Sequence, residues 1–152
     1  MNSTLILGLG NSLRGDDGAG PAVVAALSQM DLPPQVELLD GGTPGLETVL
    51  LLQGYERVII IDAADMGLEP GEWRRFTPDT AEIKSSENKL TGTLHAAGLA
   101  EALVLAAALD VLPGRLLIFG VQPGQIDWSM DLTEPLKAAL PHLIDALIEE
   151  IR

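Results

Sequence analysis

Residues 5–9 form a short unbroken apolar run, Leu-Ile-Leu-Gly-Leu, closed by Gly10. A run of that length ended by glycine predicts a strand buried on both faces. Helical spacing follows: Pro21 suits a first turn, and Val23, Val24 and Leu27 fall on one side. The apolar stretch 36–39, closed by Asp40-Gly41-Gly42, predicts a second strand, 46–53 a short helix, and 57–61 a third strand with Asp62 at its end. Strands alternating with helices argue for a parallel sheet covered on both faces, with right-handed crossovers.

The middle of the chain is less regular. Residues 72–77 alternate well enough for a strand, bounded by Pro70-Gly71 and Pro78, and their solvated character places it at an edge. Residues 79–93 are polar and read as a long loop. An alanine-rich helix is expected over 95–109, with Thr93 as its cap and Leu99, Leu103 and Ala106 along one side. Residues 115–121 give the last strand. From Thr133 onward, Leu136, Leu140, Leu143, Ile144, Leu147 and Ile151 recur at helical spacing, and Pro141 is expected to kink that helix or split it. No internal repeat or low-complexity tract interrupts the pattern.

Composition narrows the possibilities. With 152 residues, 47% of them hydrophobic, the chain is expected to form one domain over 1–152. Its 22 acidic and 9 basic residues give a formal net charge of -13, unsuited to nucleic acid or anionic lipid without a local basic patch, and none is visible. The absence of cysteine excludes disulfides, iron–sulfur clusters, thiolate zinc sites and cysteine nucleophiles. Met1-Asn2-Ser3-Thr4 lacks the positive region of a signal peptide, and the most apolar stretch, 99–112, is broken by Glu101 and Asp110. A cytoplasmic protein with neither membrane nor nucleic-acid partners is expected.

Several chemical readings compete at the glycine-rich turn. Gly8-x-Gly10 after a strand and before a helix, with Asp40 ending the second strand, resembles part of a dinucleotide fingerprint. The third glycine of that fingerprint falls on Leu13, and Asp16 and Asp17 would repel a pyrophosphate at the helix terminus. Helix capping is the structural alternative for this pair, one aspartate being enough for it. Topology adds a different possibility: Asp17 beyond the first strand, Asp40 at the end of the second and Asp62 at the end of the third share one sheet edge, with few lysines or arginines in these loops. A metal ion would reconcile their charges. His95, at the first turn of a helix whose dipole favours the neutral ring, supplies a nitrogen donor, or else is simply a satisfied histidine at a helix start. Two carboxylates and an imidazole suit a divalent transition metal, with only modest affinity for nickel or zinc in the absence of thiolates. His142 groups with Asp145 and Glu149 and reads as solvated. His-Glu-x-x-His, Gly-x-Ser-x-Gly and Asp-Thr-Gly are all absent.

Taken in order, Gly8-Leu9-Gly10-Asn11, Gly15-Asp16-Asp17-Gly18 with Gly20, Asp40-Gly41-Gly42-Thr43, Ile61-Asp62-Ala63, His95 and Gly120-Val121-Gln122-Pro123 resemble the hydrogenase maturation endopeptidases over nearly the whole chain. The resemblance implies a three-layer α/β/α sandwich around a mixed, mostly parallel five-stranded sheet. It implies a cytoplasmic protease that removes the carboxy-terminal extension of a nickel-iron hydrogenase large-subunit precursor once nickel is inserted. By the same resemblance, Asp17, Asp62 and His95 contact the metal and act through it, and Asp40, Gly41, Gly42 and Thr43 recognise the precursor. Some members carry glutamate at the position of Asp17. Nickel would arrive with the substrate, other divalent ions such as zinc or cadmium substituting. Asp16 would be the helix cap, with a general-base role as an alternative. Residues 66–89 carry no match to the family, so they say nothing about precursor preference. A dinucleotide-binding module and a non-cleaving precursor chaperone are the other functions compatible with the sequence.

Overall fold

The computed structural model describes residues 3–78 and 96–152, with side chains described for 3–78 and 99–152. The expected 79–93 loop, the Thr93 cap and His95 lie outside the described residues.

Five strands form one sheet: β1 (Thr4–Leu9), β2 (Val36–Gly42), β3 (Arg57–Ala63), β4 (Trp73–Phe76) and β5 (Arg115–Val121), in the order β2-β1-β3-β5-β4. The first three and β5 are mutually parallel, and β4 pairs antiparallel with β5. Described helices are α1 (Ala19–Leu27), α2 (Leu46–Leu51), α3 (Ala96–Ala108) and α4 (Glu134–Ile151). This is the mixed, mostly parallel five-stranded sheet that the resemblance implies.

Two cores follow from the period-two alternation of the inner strands. Leu5, Leu7, Val58, Ile60 and Ile118 face Val49 of α2 and Leu99, Leu103 and Ala106 of α3. Ile6, Ile59, Ile61, Leu117 and Phe119 face Val23 and Leu27 of α1 and Leu136, Leu143 and Leu147 of α4. Burial on both faces therefore holds for β1, β3 and β5. It does not hold for β2, which has a single strand neighbour and leaves Glu37, Leu39 and Asp40 exposed.

Pro141 does not split the final helix: α4 runs unbroken from Glu134 to Ile151. Its buried residues, Leu136, Leu143, Leu147 and Ile151, lie on both sides of the proline, so packing against the sheet holds the helix together across it. The proline itself is exposed, where water can satisfy the carbonyl left without a partner. No described helix is long and apolar enough to cross a membrane.

The strand order places the site. β2 lies on one side of β1 and β3 on the other, so the chain leaving β1 runs to one side and the chain leaving β3 to the other, which opens a crevice at the carboxyl ends of β1 and β3.

Candidate functional site

Beyond β1 the chain makes a glycine-rich turn, a single 3-10 turn at Gly15–Gly18, and then enters α1. Two glycines allow this path. Gly10 has φ 133°, and a Cβ there would stand 1.9 Å from the Asp17 carbonyl oxygen, so the chain folds back on itself where no side chain fits. A Cβ at Gly20 would meet the carbonyl oxygens of Leu9 at 2.4 Å and Ile61 at 2.6 Å, so α1 starts directly against the ends of β1 and β3. The turn's amides are also engaged: Gly10 N–H donates to Gly42 O at 2.9 Å and Asn11 N–H to Asp17 Oδ2 at 2.9 Å. A pyrophosphate would find these donors taken, by the protein's own carboxylate in one case.

Asp17 and Asp62 come together in the crevice. Asp62 is fully buried, and neither of its oxygens meets a donor in hydrogen-bond geometry among the described residues. It lies on β3 between Ile60 and Ala64, on the face covered by α2 and α3, with Gly120 as its β5 register partner. Burial pushes its carboxyl well above the usual carboxylate range, and the nearby Asp17 charge pushes it further, against the opposing pull of the Ala63 amide. Asp17 is also buried, at 5% exposure.

Asp16 does not cap the helix that follows it. The 3-10 turn and α1 have Arg14 and Gly18 at their caps, with no side-chain hydrogen bond at either. Its fully buried carboxylate instead reaches across the sequence. Oδ2 accepts from Gly124 N–H (2.7 Å), Gln125 N–H (3.1 Å) and the Thr133 hydroxyl (2.7 Å), and Oδ1 accepts from Thr133 N–H (2.7 Å). Thr133 is the N-cap of α4, so Asp16 satisfies the start of a helix more than a hundred residues away. Burial raises its carboxyl, but the four hydrogen bonds outweigh this and the net displacement is downward.

Sequence reasoning missed the work of Gln122, buried just past β5. Its Oε1 accepts from Met66 N–H (2.7 Å) and Leu68 N–H (3.2 Å), and its Nε2 donates to Asp65 Oδ1 (3.3 Å). It thereby fixes the loop that leaves Asp62. The available signal was a polar residue directly following a buried strand.

Asp40 stands apart from the pair. It is exposed on the edge strand, and its Oδ1 accepts from Gly42 N–H (3.1 Å) within its own turn. Gly41 and Gly42 are half-buried and Thr43 is exposed. The expected gathering of three strand-end carboxylates thus reduces to two, and no group of three metal-ligating side chains occurs among the described residues. His95 lies outside those residues, one position before Ala96 opens α3. His142 is exposed, as expected.

Fold and site together define an open α/β protein with a buried acidic pair at its topological switch point. The family model described as HycI, hydrogenase maturation protease, matches residues 21–150. The hydrogenase expression/formation protein HupD of Rhizobium leguminosarum bv. viciae is 35% identical, over 97% of this chain and 73% of its own length. Among solved structures, the hydrogenase maturating endopeptidase HybD of E. coli matches with a TM-score of 0.82 and 28% identity, over 99% of this chain and 92% of that one. A hydrogenase 2 maturation peptidase from a Thaumarchaeota archaeon matches at 35% identity and a TM-score of 0.76, over 97% of both chains. The chain belongs to the hydrogenase maturation protease family, and is a hydrolase that acts in the carboxy-terminal processing of a hydrogenase large subunit.

Proposed function

We propose that this protease recognises its precursor through nickel already bound to it, and that Asp17, Asp62 and His95 complete the coordination of that ion. The observation that carries the reading is Asp62: a buried carboxyl with no donor in hydrogen-bond geometry among the described residues, beside a second carboxyl. Such a group is costly to ionise unless a cation meets it. The fit to a divalent ion is chemical as well as electrostatic, since carboxylate oxygens with one imidazole make a mixed donor set for a transition metal. His95 directly precedes α3. That helix leads into β5, parallel to β3, and so starts at the same sheet edge as Asp17 and Asp62.

A bound divalent ion supplies positive charge that polarises a carbonyl or lowers the pKa of a water. The protein's own part is to hold that centre so that a neighbouring peptide bond is presented to water. Without thiolates the site holds free metal weakly, which suits an enzyme that tests whether nickel is present. Zinc or cadmium, with similar ligand preferences, would substitute. Asp40 and the Gly41-Gly42-Thr43 turn flank the crevice on the β2 side and offer a recognition surface for the nickel-iron hydrogenase large-subunit precursor.

The test is to incubate the protein with nickel-loaded and nickel-free precursor and weigh the products. Loss of the carboxy-terminal extension from the nickel-loaded form alone is expected. Equal cutting of both forms would overturn the nickel reading, and binding without cutting would make the protein a chaperone of the precursor.

A further inference from the structure

Residues 124–133, between β5 and α4, are anchored at three points. Asp16 holds Gly124 and Gln125 at one end and Thr133 at the other. In the middle, Gly15 N–H donates to Ser129 O (2.7 Å) and Ser129 N–H donates to Leu13 O (2.9 Å), joining the segment to the glycine-rich turn. Yet this fixed backbone holds Trp128 and Met130 out in solvent, 77% and 82% exposed, with Leu13 beside them at 50%. Large apolar side chains presented on an anchored loop contribute nothing to the core, and grouped in this way they mark an interaction site.

Two grooves run beside this platform, of about 320 Å³ and about 340 Å³, both lined by Gly15 and Leu132. The first is walled by Trp128 with Asp127 and Asp131, and the second reaches from Met130 to Asp40. The charged rim is therefore acidic, on a chain of net charge -13. Arg14 lines neither groove and stacks its guanidinium over the Trp128 ring at 5.5 Å from the centroid.

We infer that Leu13, Trp128 and Met130 form the docking platform for the precursor, and that they take a segment of it carrying apolar side chains flanked by lysine or arginine. The inference rests on the precursor-processing reading and adds where, and by what chemistry, the precursor is gripped. Leu13 belongs to the turn that delivers Asp17, and the loop bearing Trp128 and Met130 is bonded to that turn through Ser129, so a segment seated on the platform enters the crevice from the α1 side. The apolar anchors supply affinity, while Asp40, Asp127 and Asp131 favour a basic partner and its rate of approach.

The experiment uses a nickel-loaded hydrogenase large-subunit precursor and a Trp128→Ser, Met130→Ser double variant, with binding measured by calorimetry and cleavage followed separately. Kd and KM are expected to rise about tenfold with kcat nearly unchanged. The melting temperature should fall by no more than about 3 °C, because both side chains are exposed and only the Arg14 stack on Trp128 is lost. An Asp127→Asn, Asp131→Asn variant should show a flatter dependence of binding on salt. Unaltered affinity in the double variant overturns the inference. So does a self-associating protein that the same substitutions make monomeric, since the platform would then serve a second copy. Precursor binding that depends on the platform but leads to no cleavage would sink the proteolytic reading while supporting the docking surface.

Discussion

The carboxylate of Asp17, carried on the turn after β1, stands close enough to Asp62 at the end of β3 to raise the proton affinity of a group that burial has already raised. Each residue arrives on a separate parallel strand unit, and neither is moved away by the packing around it. A fold seeking stability alone would replace one of them. Two carboxyl groups held together in the interior in this way are the arrangement expected of a functional site.

Asp62→Asn should therefore stabilise the isolated protein at neutral pH. Because the folded pKa of Asp62 is raised, the native state binds more protons than the unfolded state above the ordinary carboxylate value of ~3.9, and stability falls as pH rises through that window. Removing the charge should restore about 1 kcal/mol, or ~3 °C in Tm, at pH 7. The gain should vanish below the ordinary carboxylate value, where Asp62 is protonated in both states. Thermal melts of the two proteins across pH check this, and an equal difference at every pH would contradict it.

Cleavage should move the other way. Asp17→Asn, Asp62→Asn and His95→Ala are each expected to lower the rate on nickel-loaded precursor by about a hundredfold or more, as for loss of a preorganised charge-stabilising group. Full-rate cutting by any of the three, measured by mass of the product, would remove that residue from the site.

Asp16→Ala is expected to destabilise strongly, because four donors at Gly124, Gln125 and Thr133 lose their acceptor at once. A cost of about 3 kcal/mol, or ~9 °C in Tm, is anticipated. In the wild type, the stability contributed by Asp16 is present above the unfolded carboxylate value and disappears as pH falls through its depressed folded value. Urea melts of the variant and the wild type should converge in acid.

Gly20→Ala tests the close approach of α1 to the sheet. Its Cβ would overlap two backbone carbonyl oxygens, those of Leu9 and Ile61, which cannot rotate away as a side chain would. A loss of about 3 kcal/mol is expected, together with reduced cleavage, since α1 and the Asp17 turn must shift as one. Circular dichroism melts and the cleavage assay read the two effects separately.

The sequence alone determined the five strands, the described helices and the placement of Asp17 and Asp62 at strand ends, because buried strands, helical spacing and glycine-ended runs are local patterns that burial and backbone sterics impose. It also marked β4 as an edge, since a short solvated alternation suits a strand with one neighbour. What it could not settle was which distant groups meet. Asp16 read as a local cap because aspartate before a helix usually is one, yet its four partners lie between Gly124 and Thr133. Asp40 read as a third strand-end carboxylate on the same sheet edge as Asp17 and Asp62, and only the strand order sets it on an exposed edge strand while the other two share the crevice. The continuity of α4 through Pro141 was likewise decided by the face it buries. Local propensity fixes elements, whereas side-chain partnerships depend on how those elements stack.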